Sequence, residues 1–271
     1  MAVVEWMGTT SPASLERCRR AKRAALSLTA VRWVSDTFGM RRRAFERAYR
    51  EALWTTTGES LSGNGSGLDA TERLRVVLPS ALRELEIRTL VDIPCGDWNW
   101  MAHVDLPVDR YVGGDLLPSL VQENQRRFGN ARREFRVIDL CRDALPAGDL
   151  LLCRDALVHF SYRDIWRALA NVATADIRYF AATSFPGTTA NQDQLTGVEW
   201  RHVNLEVAPF ELAPPTRVLA EGFNRPDQIL GVWHVEDVAT AVARNRERNA
   251  RSWLVRQAST PLVAWCLSNC L

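Results

Sequence analysis

Lysine is almost missing from this chain of 271 residues: Lys22 is the only one, so nearly all of the 34 basic side chains are arginine. They are matched by 32 acids, leaving a net charge of +2. That balance makes no case for a nucleic-acid surface, which needs a basic excess. Cysteine is sparse too. Cys18, Cys95, Cys141, Cys153, Cys266 and Cys270 form no C-x-x-C pair and have no metal-site spacing, which excludes the common zinc and thioredoxin-type motifs. Cys141 and Cys153 lie in apolar surroundings and read as buried thiols of a reducing compartment. Cys266 and Cys270 read as free thiols on a terminal helix rather than as a disulfide. No apolar run is long enough to span a bilayer. The polar start, with Glu5 and then arginines, lacks the apolar core of a signal peptide. The expectation is a cytoplasmic protein that makes no membrane contact. There is no internal repeat.

What is present is an ordinary globular balance, 46% hydrophobic and 24% charged. The length suits one large α/β domain with an appendage, or two small domains. Residues 11–53 read as helical, and Phe45, Tyr49 and Leu53 fall on one face at four-residue steps. Arg41-Arg42-Arg43 reads as a solvated helix face. Residues 54–67 are small, polar and glycine-rich. By composition they form a flexible linker, the alternative being an ordered loop over a ligand.

From residue 68 the pattern alternates. Asp69 is the expected cap of a helix through Glu84, with Pro79 inside it as a kink or break. Strands are expected at 89–93, 110–114, 134–138, 149–153 and 178–183, with helices at 98–104, 117–128 and 162–172. Leu150-Leu151-Leu152 is apolar throughout, as a strand covered on both faces requires. Such β-α-β-α alternation implies a Rossmann-like, doubly wound, mostly parallel sheet of seven strands. Two further strands are expected at 216–220 and 230–235, with a turn around residues 222–226, and then a helix at 236–257. The proline-containing segment 185–215 is too long for a simple connection and is expected to be functional. The apolar tail Leu262–Leu271 is a candidate packing surface, including for a homodimer.

The chemistry concentrates at strand ends. Asp92-Ile93-Pro94-Cys95-Gly96-Asp97-Trp98 takes an apolar run into a carboxylate and a tight turn. Gly96 lets backbone approach a ligand without a Cβ in the way, and Pro94 pre-sets one turn angle. Asp115 ends the second strand, where a carboxylate can take both hydroxyls of a ribose; the alternative role is a helix N-cap. Asp139 ends the third and can accept from an adenine amino group, or start an Asx turn. After the fourth strand, Cys153-Arg154-Asp155 leads to His159. In a doubly wound sheet this loop meets the reacting atoms. If the segment is helical, Asp155 and His159 share a face. Histidine is the natural base for a hydroxyl, although a structural histidine fits as well. Further on, His202, Asn204 and Glu206 mark a pocket wall, with Glu206 a second candidate base, or else a surface loop. A divalent ion on Asp155, His202 and Glu206 is a lesser reading, and no metal is expected. Trp98 and Trp100 are candidate substrate contacts because a flat amphipathic ring can line a pocket.

These residues resemble class I S-adenosylmethionine-dependent methyltransferases, most of all a bacterial subgroup whose first motif reads Asp-Ile-Pro-Cys-Gly-Asp with an aromatic and Asn-Trp. The likeness rests on Asp92–Trp100, Gly113-Gly114-Asp115, Cys153-Arg154-Asp155 with His159, and Asn204-Leu205-Glu206 with Pro209-Phe210. Trp54 and the Glu59–Ser66 loop match the subgroup too. It covers roughly residues 45–236. Only the middle glycine of the general Gly-x-Gly-x-Gly pattern survives, with Pro94 and Trp98 at the outer places.

The resemblance implies S-adenosyl-L-methionine as cofactor and residues 54–67 as an ordered lid. It implies cofactor contacts from Trp54, Ser60, Ser62, Gly63 and Ser66 in the lid. Asp92, Pro94, Cys95 and Gly96 would contribute from the first turn, and Asp115, Leu116, Asp139, Leu140, Arg154 and Asp155 from later strand ends. Residues 1–67 are then a helical segment with its lid loop, 68–257 the methyltransferase domain with its insertion near 185–215, and 258–271 a tail. The implied acceptor is a hydroxyl of a small molecule or glycoside, with His159 or Glu206 as base and Asp155 orienting. The alternatives are a nitrogen acceptor on an amine, peptide or protein side chain, and a non-catalytic binding module.

Overall fold

The strands alternate their side chains between two covered faces. Leu90, Leu150 and Leu152 join one buried cluster, whereas Val91 and Leu151 join the other. A computed structural model describes residues 39–221 and 227–258. Residues 11–38 of the expected first helix, the turn at 222–226, and the tail with Cys266 and Cys270 lie outside the described residues, as does Cys18.

Seven strands form one sheet: β1 (Thr89–Asp92), β2 (Arg110–Asp115), β3 (Arg133–Val137), β4 (Gly148–Cys153), β5 (Ile177–Ser184), β6 (Arg217–Ala220) and β7 (Ile229–His234). Their order is β3-β2-β1-β4-β5-β7-β6. β1 to β5 are parallel, and β7 runs antiparallel to β5 and β6. The order reverses between β1 and β4, and a crevice opens at such a reversal, beyond the carboxyl ends of the strands.

Five helices accompany the sheet among the described residues: α1 (Met40–Arg50), α2 (Leu68–Glu84), α3 (Pro118–Phe128), α4 (Tyr162–Val172) and α5 (Val235–Ala258). α2 buries Leu74, Leu78 and Leu82 in one cluster. α4, through Ile165, Ala168, Leu169 and Val172, and α5, through Val238, Ala241 and Val242, fill the other. Pro118 opens α3, where its missing N–H costs nothing.

Local expectations fail at several places. α1 ends at Arg50 because Ala52 takes a positive φ of 49°, and Leu53 is exposed instead of sharing a face with Phe45 and Tyr49. α2 runs unbroken through Pro79; the buried leucines around it hold the helix against the lost hydrogen bond. Its N-cap is Gly67, with Asp69 in the first turn. The helix expected after β1 shrinks to one 3-10 turn, Met101–His103, because Trp98 is left-handed at φ 57°. Segment 185–212 is irregular but anchored, with Val203, Leu205, Phe210 and Leu212 in the core. Among the described residues no helix is long and apolar enough to cross a membrane, and Cys95, Cys141 and Cys153 are free thiols.

Candidate functional site

At the switch point the turn after β1 is built to admit atoms from above. Gly96 has φ 57°, and a Cβ there would collide with Ser62 Oγ. Its N–H donates to Asp115 Oδ2 (3.3 Å), and its carbonyl accepts from Asn124 Nδ2 (2.7 Å). Trp98 leaves the turn downward into the core, 4.7 to 5.7 Å by ring centroids from Phe128, Tyr111 and Phe135. The sequence places Trp98 in a substrate pocket. The structure makes it a core residue, 2% exposed, because the left-handed backbone reverses its direction.

Asp97 fastens the glycine-rich loop. It accepts from Leu61 N (2.8 Å), Ser62 Oγ (2.9 Å) and Ser60 Oγ (2.9 Å), while its own N–H donates to Ser62 Oγ (2.8 Å). Tyr49 Oη and Ser62 Oγ are 2.7 Å apart, linking α1 to the loop. Glu59 accepts from Leu68 N (2.7 Å) and Asn99 Nδ2 (3.2 Å). Composition alone favours a flexible linker here. The hydrogen bonds make the segment an ordered cover, because its donors converge on a carboxylate far away in sequence. Ser60 is 2% exposed and Gly63 packs on Trp54. Both therefore shape the cover and do not line the cleft below it.

That cleft holds about 970 Å3 of space free of protein atoms, open solvent included. Trp54, Ser62 and Ser66 line it from above. Asp92, Pro94, Cys95 and Gly96 line it from the first turn, and Asp115 and Leu116 from the end of β2. Asp139, Leu140, Arg154, Asp155 and His159 complete the expected set, and Trp100 joins them. The sequence reading misses Arg41, Phe45 and Tyr49 of α1, and Phe160. The helical face Phe45–Tyr49 was visible as a pattern, but nothing in it said what the face covers.

Two acids at the adjacent tips of β1 and β2 dominate the floor. Asp92 is 4% exposed and accepts from Tyr111 Oη (2.6 Å). Burial pushes its carboxyl up to about 7, against the Tyr111 hydrogen bond and the Arg154 charge. Asp115 is 5% exposed and rises to about 6, again by burial, although the backbone N–H of Leu117 (3.0 Å) and of Gly96 pull the other way. Asp139 accepts from Cys141 N (3.0 Å) on one oxygen and from Arg41 Nη2 (2.7 Å) on the other. Arg41 also reaches Asp164 (3.3 Å) with 14% of its side chain exposed. Reading the arginine run as a solvated face is therefore wrong for Arg41, whose partners come from the loop after β3 and from α4.

The loop after β4 is not helical. Asp155 takes a left-handed φ of 52°, and only a 3-10 turn, Leu157–His159, follows. Asp155 and His159 meet at the cleft by this turn and not by a helix face. Asp155 Oδ1 is buried with no hydrogen-bond partner. His159 Nδ1 lies 3.0 Å from the Glu199 carbonyl, an acceptor, so Nδ1 carries the proton. Burial holds the imidazole below its ordinary value, against the pull of Asp155. Nε2 thus keeps its lone pair near neutral pH. The ring is 4.8 Å from that of Trp54, which donates to the Val198 carbonyl (2.9 Å).

His202, Asn204 and Glu206 do not line the cleft. His202 stacks on Phe185 at 4.3 Å. Asn204 is buried and staples the insertion, donating to the Thr188 carbonyl (2.9 Å) and accepting from Glu206 N (2.9 Å). The period-two pattern that suggested a pocket wall instead sends Val203 and Leu205 into the core. The structure thus does not bring Glu206, His202 or Asn204 to the cleft that Asp155 and His159 line. Among the described residues no three His, Cys, Asp or Glu side chains form a group that could hold a metal.

No protein-family model matches the chain, and no curated protein matches its sequence. Solved structures do match. Phosphoethanolamine N-methyltransferase 1 of Haemonchus contortus, in complex with phosphoethanolamine and S-adenosylhomocysteine, is similar at 14% identity. The match covers 79% of this chain and 55% of that one, with a TM-score of 0.50. An S-adenosylmethionine-dependent methyltransferase from Clostridium acetobutylicum matches at 14% identity over 42% of this chain and 51% of that one, with a TM-score of 0.38. Magnesium protoporphyrin IX methyltransferase from Synechocystis PCC 6803 matches at 14% identity over 61% and 84%, with a TM-score of 0.44. The chain thus spans about half the length of the first two structures. At such identities the likeness is one of architecture: the chain has the Rossmann-like methyltransferase fold.

Proposed function

We propose that the cleft binds S-adenosyl-L-methionine and that the protein transfers the methyl group to a hydroxyl of a small molecule or glycoside. One observation carries the cofactor: Asp92 and Asp115, at the tips of two hydrogen-bonded parallel strands, face one cleft across the Gly96 turn. Asp115 suits the ribose hydroxyls and Asp92 the ammonium end. Both carboxyls are held high by burial, a state that a cationic ligand relieves. The unpartnered Asp155 Oδ1 also fits a positively charged or hydrogen-bond-donating neighbour.

The cofactor supplies a methyl group already activated by a positive sulfur. The protein's own work is positioning and proton handling. The aromatic cover of Phe45, Tyr49 and Trp54 excludes water. Asp155 orients the acceptor hydroxyl, and His159 Nε2 takes its proton. A neutral Nε2 beside a carboxylate favours this reading over a nitrogen acceptor, which needs no base once it is neutral.

Calorimetry with S-adenosyl-L-methionine and with S-adenosylhomocysteine tests binding, and failure of both ligands to bind at millimolar concentration ends the proposal. Incubation with labelled cofactor and metabolite extract then finds the acceptor. His159→Ala should slow transfer to it about a hundredfold, in the usual range for a lost general base, with cofactor affinity kept within about threefold. A rate that hardly changes points to a nitrogen acceptor. Cofactor binding with no transfer to any extract points to a binding module.

A further inference from the structure

Behind the cleft lies a buried acid, Glu221. Glu221 follows β6 and is 2% exposed. Its carboxylate accepts from Arg154 Nε (2.9 Å), Arg154 Nη2 (2.8 Å), Gln228 Nε2 (2.8 Å) and Thr183 Oγ (3.0 Å). Four donors and no acceptor converge on it, a geometry that favours the ionised carboxylate; burial raises its pKa above the ordinary value, and the Arg154 charge and the donated hydrogen bonds work against that rise. Two of these contacts lead to the cleft. The Thr183 hydroxyl points its hydrogen at Glu221, which leaves its oxygen lone pairs to accept the Asp155 N–H at 2.8 Å. That bond ties down the left-handed Asp155 backbone, a conformation that a non-glycine residue adopts only when its surroundings impose it. Arg154, which lines the cleft with its guanidinium 5.3 Å from the Trp100 ring centroid, is the other contact. Its charge is felt by Asp92. Paired with Glu221, it is largely neutralised.

We propose that Glu221 is a positioning residue: through Thr183 it fixes the turn that presents Asp155, and through Arg154 it cancels a positive charge that would otherwise oppose a cationic ligand. This rests on the reading of the cleft as an S-adenosyl-L-methionine site and adds to it the origin of its preference for the cation. The sulfonium of S-adenosyl-L-methionine is charged, whereas the thioether of S-adenosylhomocysteine is not. The ratio of their affinities therefore reports the field at the sulfur. A merely structural role for Glu221 would weaken both ligands alike.

The test is calorimetry of both ligands on the full chain and on Glu221→Gln, Thr183→Val and Thr183→Ser. In Glu221→Gln the uncompensated Arg154 should lower the preference for the sulfonium about tenfold, the effect of one charge at short range in a partly screened interior. Thr183→Val should lower it too by releasing the Asp155 turn, and Thr183→Ser should restore it by restoring the hydroxyl. An unchanged ratio in Glu221→Gln, or equal ratios in the two Thr183 variants, overturns the proposal. If Glu221→Gln does not fold, the Thr183 pair decides alone. An unaltered protein that binds neither ligand instead removes the cofactor reading itself.

Discussion

Single residues at this site are set by burial more than by pairing. Asp92 and Asp115 both carry raised pKa values whose largest cause is desolvation. The sign of the linkage follows. A carboxyl that titrates higher in the folded chain than in the unfolded one holds its proton more tightly when folded. The stability this contributes is complete below the unfolded value, about 3.9 for an aspartate. It is lost as pH rises through about 6 for Asp115 and about 7 for Asp92. A cationic ligand works against that loss because it favours the ionised pair. The gain in Tm on adding S-adenosyl-L-methionine should therefore grow between about pH 5 and pH 8. Scanning fluorimetry across that range measures it, and a gain that stays flat or shrinks contradicts the charge assignment.

At the scale of elements, the cover over the cleft converges mainly on the Asp97 carboxylate, with Glu59 as a second tie. Asp97 gathers three donors from Ser60, Leu61 and Ser62, and Tyr49 extends the chain to α1. Asp97→Asn keeps the volume but sets an amide where donors converge. Proteolysis within residues 54–66 should speed up, and cofactor affinity should fall about tenfold, the loss expected for one charge-assisted hydrogen bond or more. Equal cleavage rates in the two proteins would show that the loop is held by something else. Asn204 makes the opposite case. Its pattern reads as a pocket residue, yet its side chain hydrogen-bonds the backbone of its own insertion. Asn204→Ala should cost about 1–3 kcal/mol of stability through orphaned buried groups, while cofactor affinity, measured where both proteins are folded, stays within about threefold. A selective loss of binding with unchanged Tm would return Asn204 to the site.

For the whole molecule, length and alternation of apolar runs were enough for the doubly wound class. Leu150-Leu151-Leu152 suits a strand buried on both faces, and Asp92 and Asp115 sit at strand ends whatever the sheet order. Local periodicity carries that information because it is a property of consecutive residues. Trp98, Asn204 and Arg41 were misread because their destinations depend on a left-handed turn, a remote carbonyl and two distant acids. Glu221 gave no signal in its own neighbourhood, since both Arg154 and Thr183 lie on other strands' ends. Hydrophobic period and turn chemistry, both properties of neighbouring residues, set the order of elements and which acids end the strands. Which side chains share the cleft emerges on folding, because side-chain direction and hydrogen-bond partners are set by chain segments that meet in space alone.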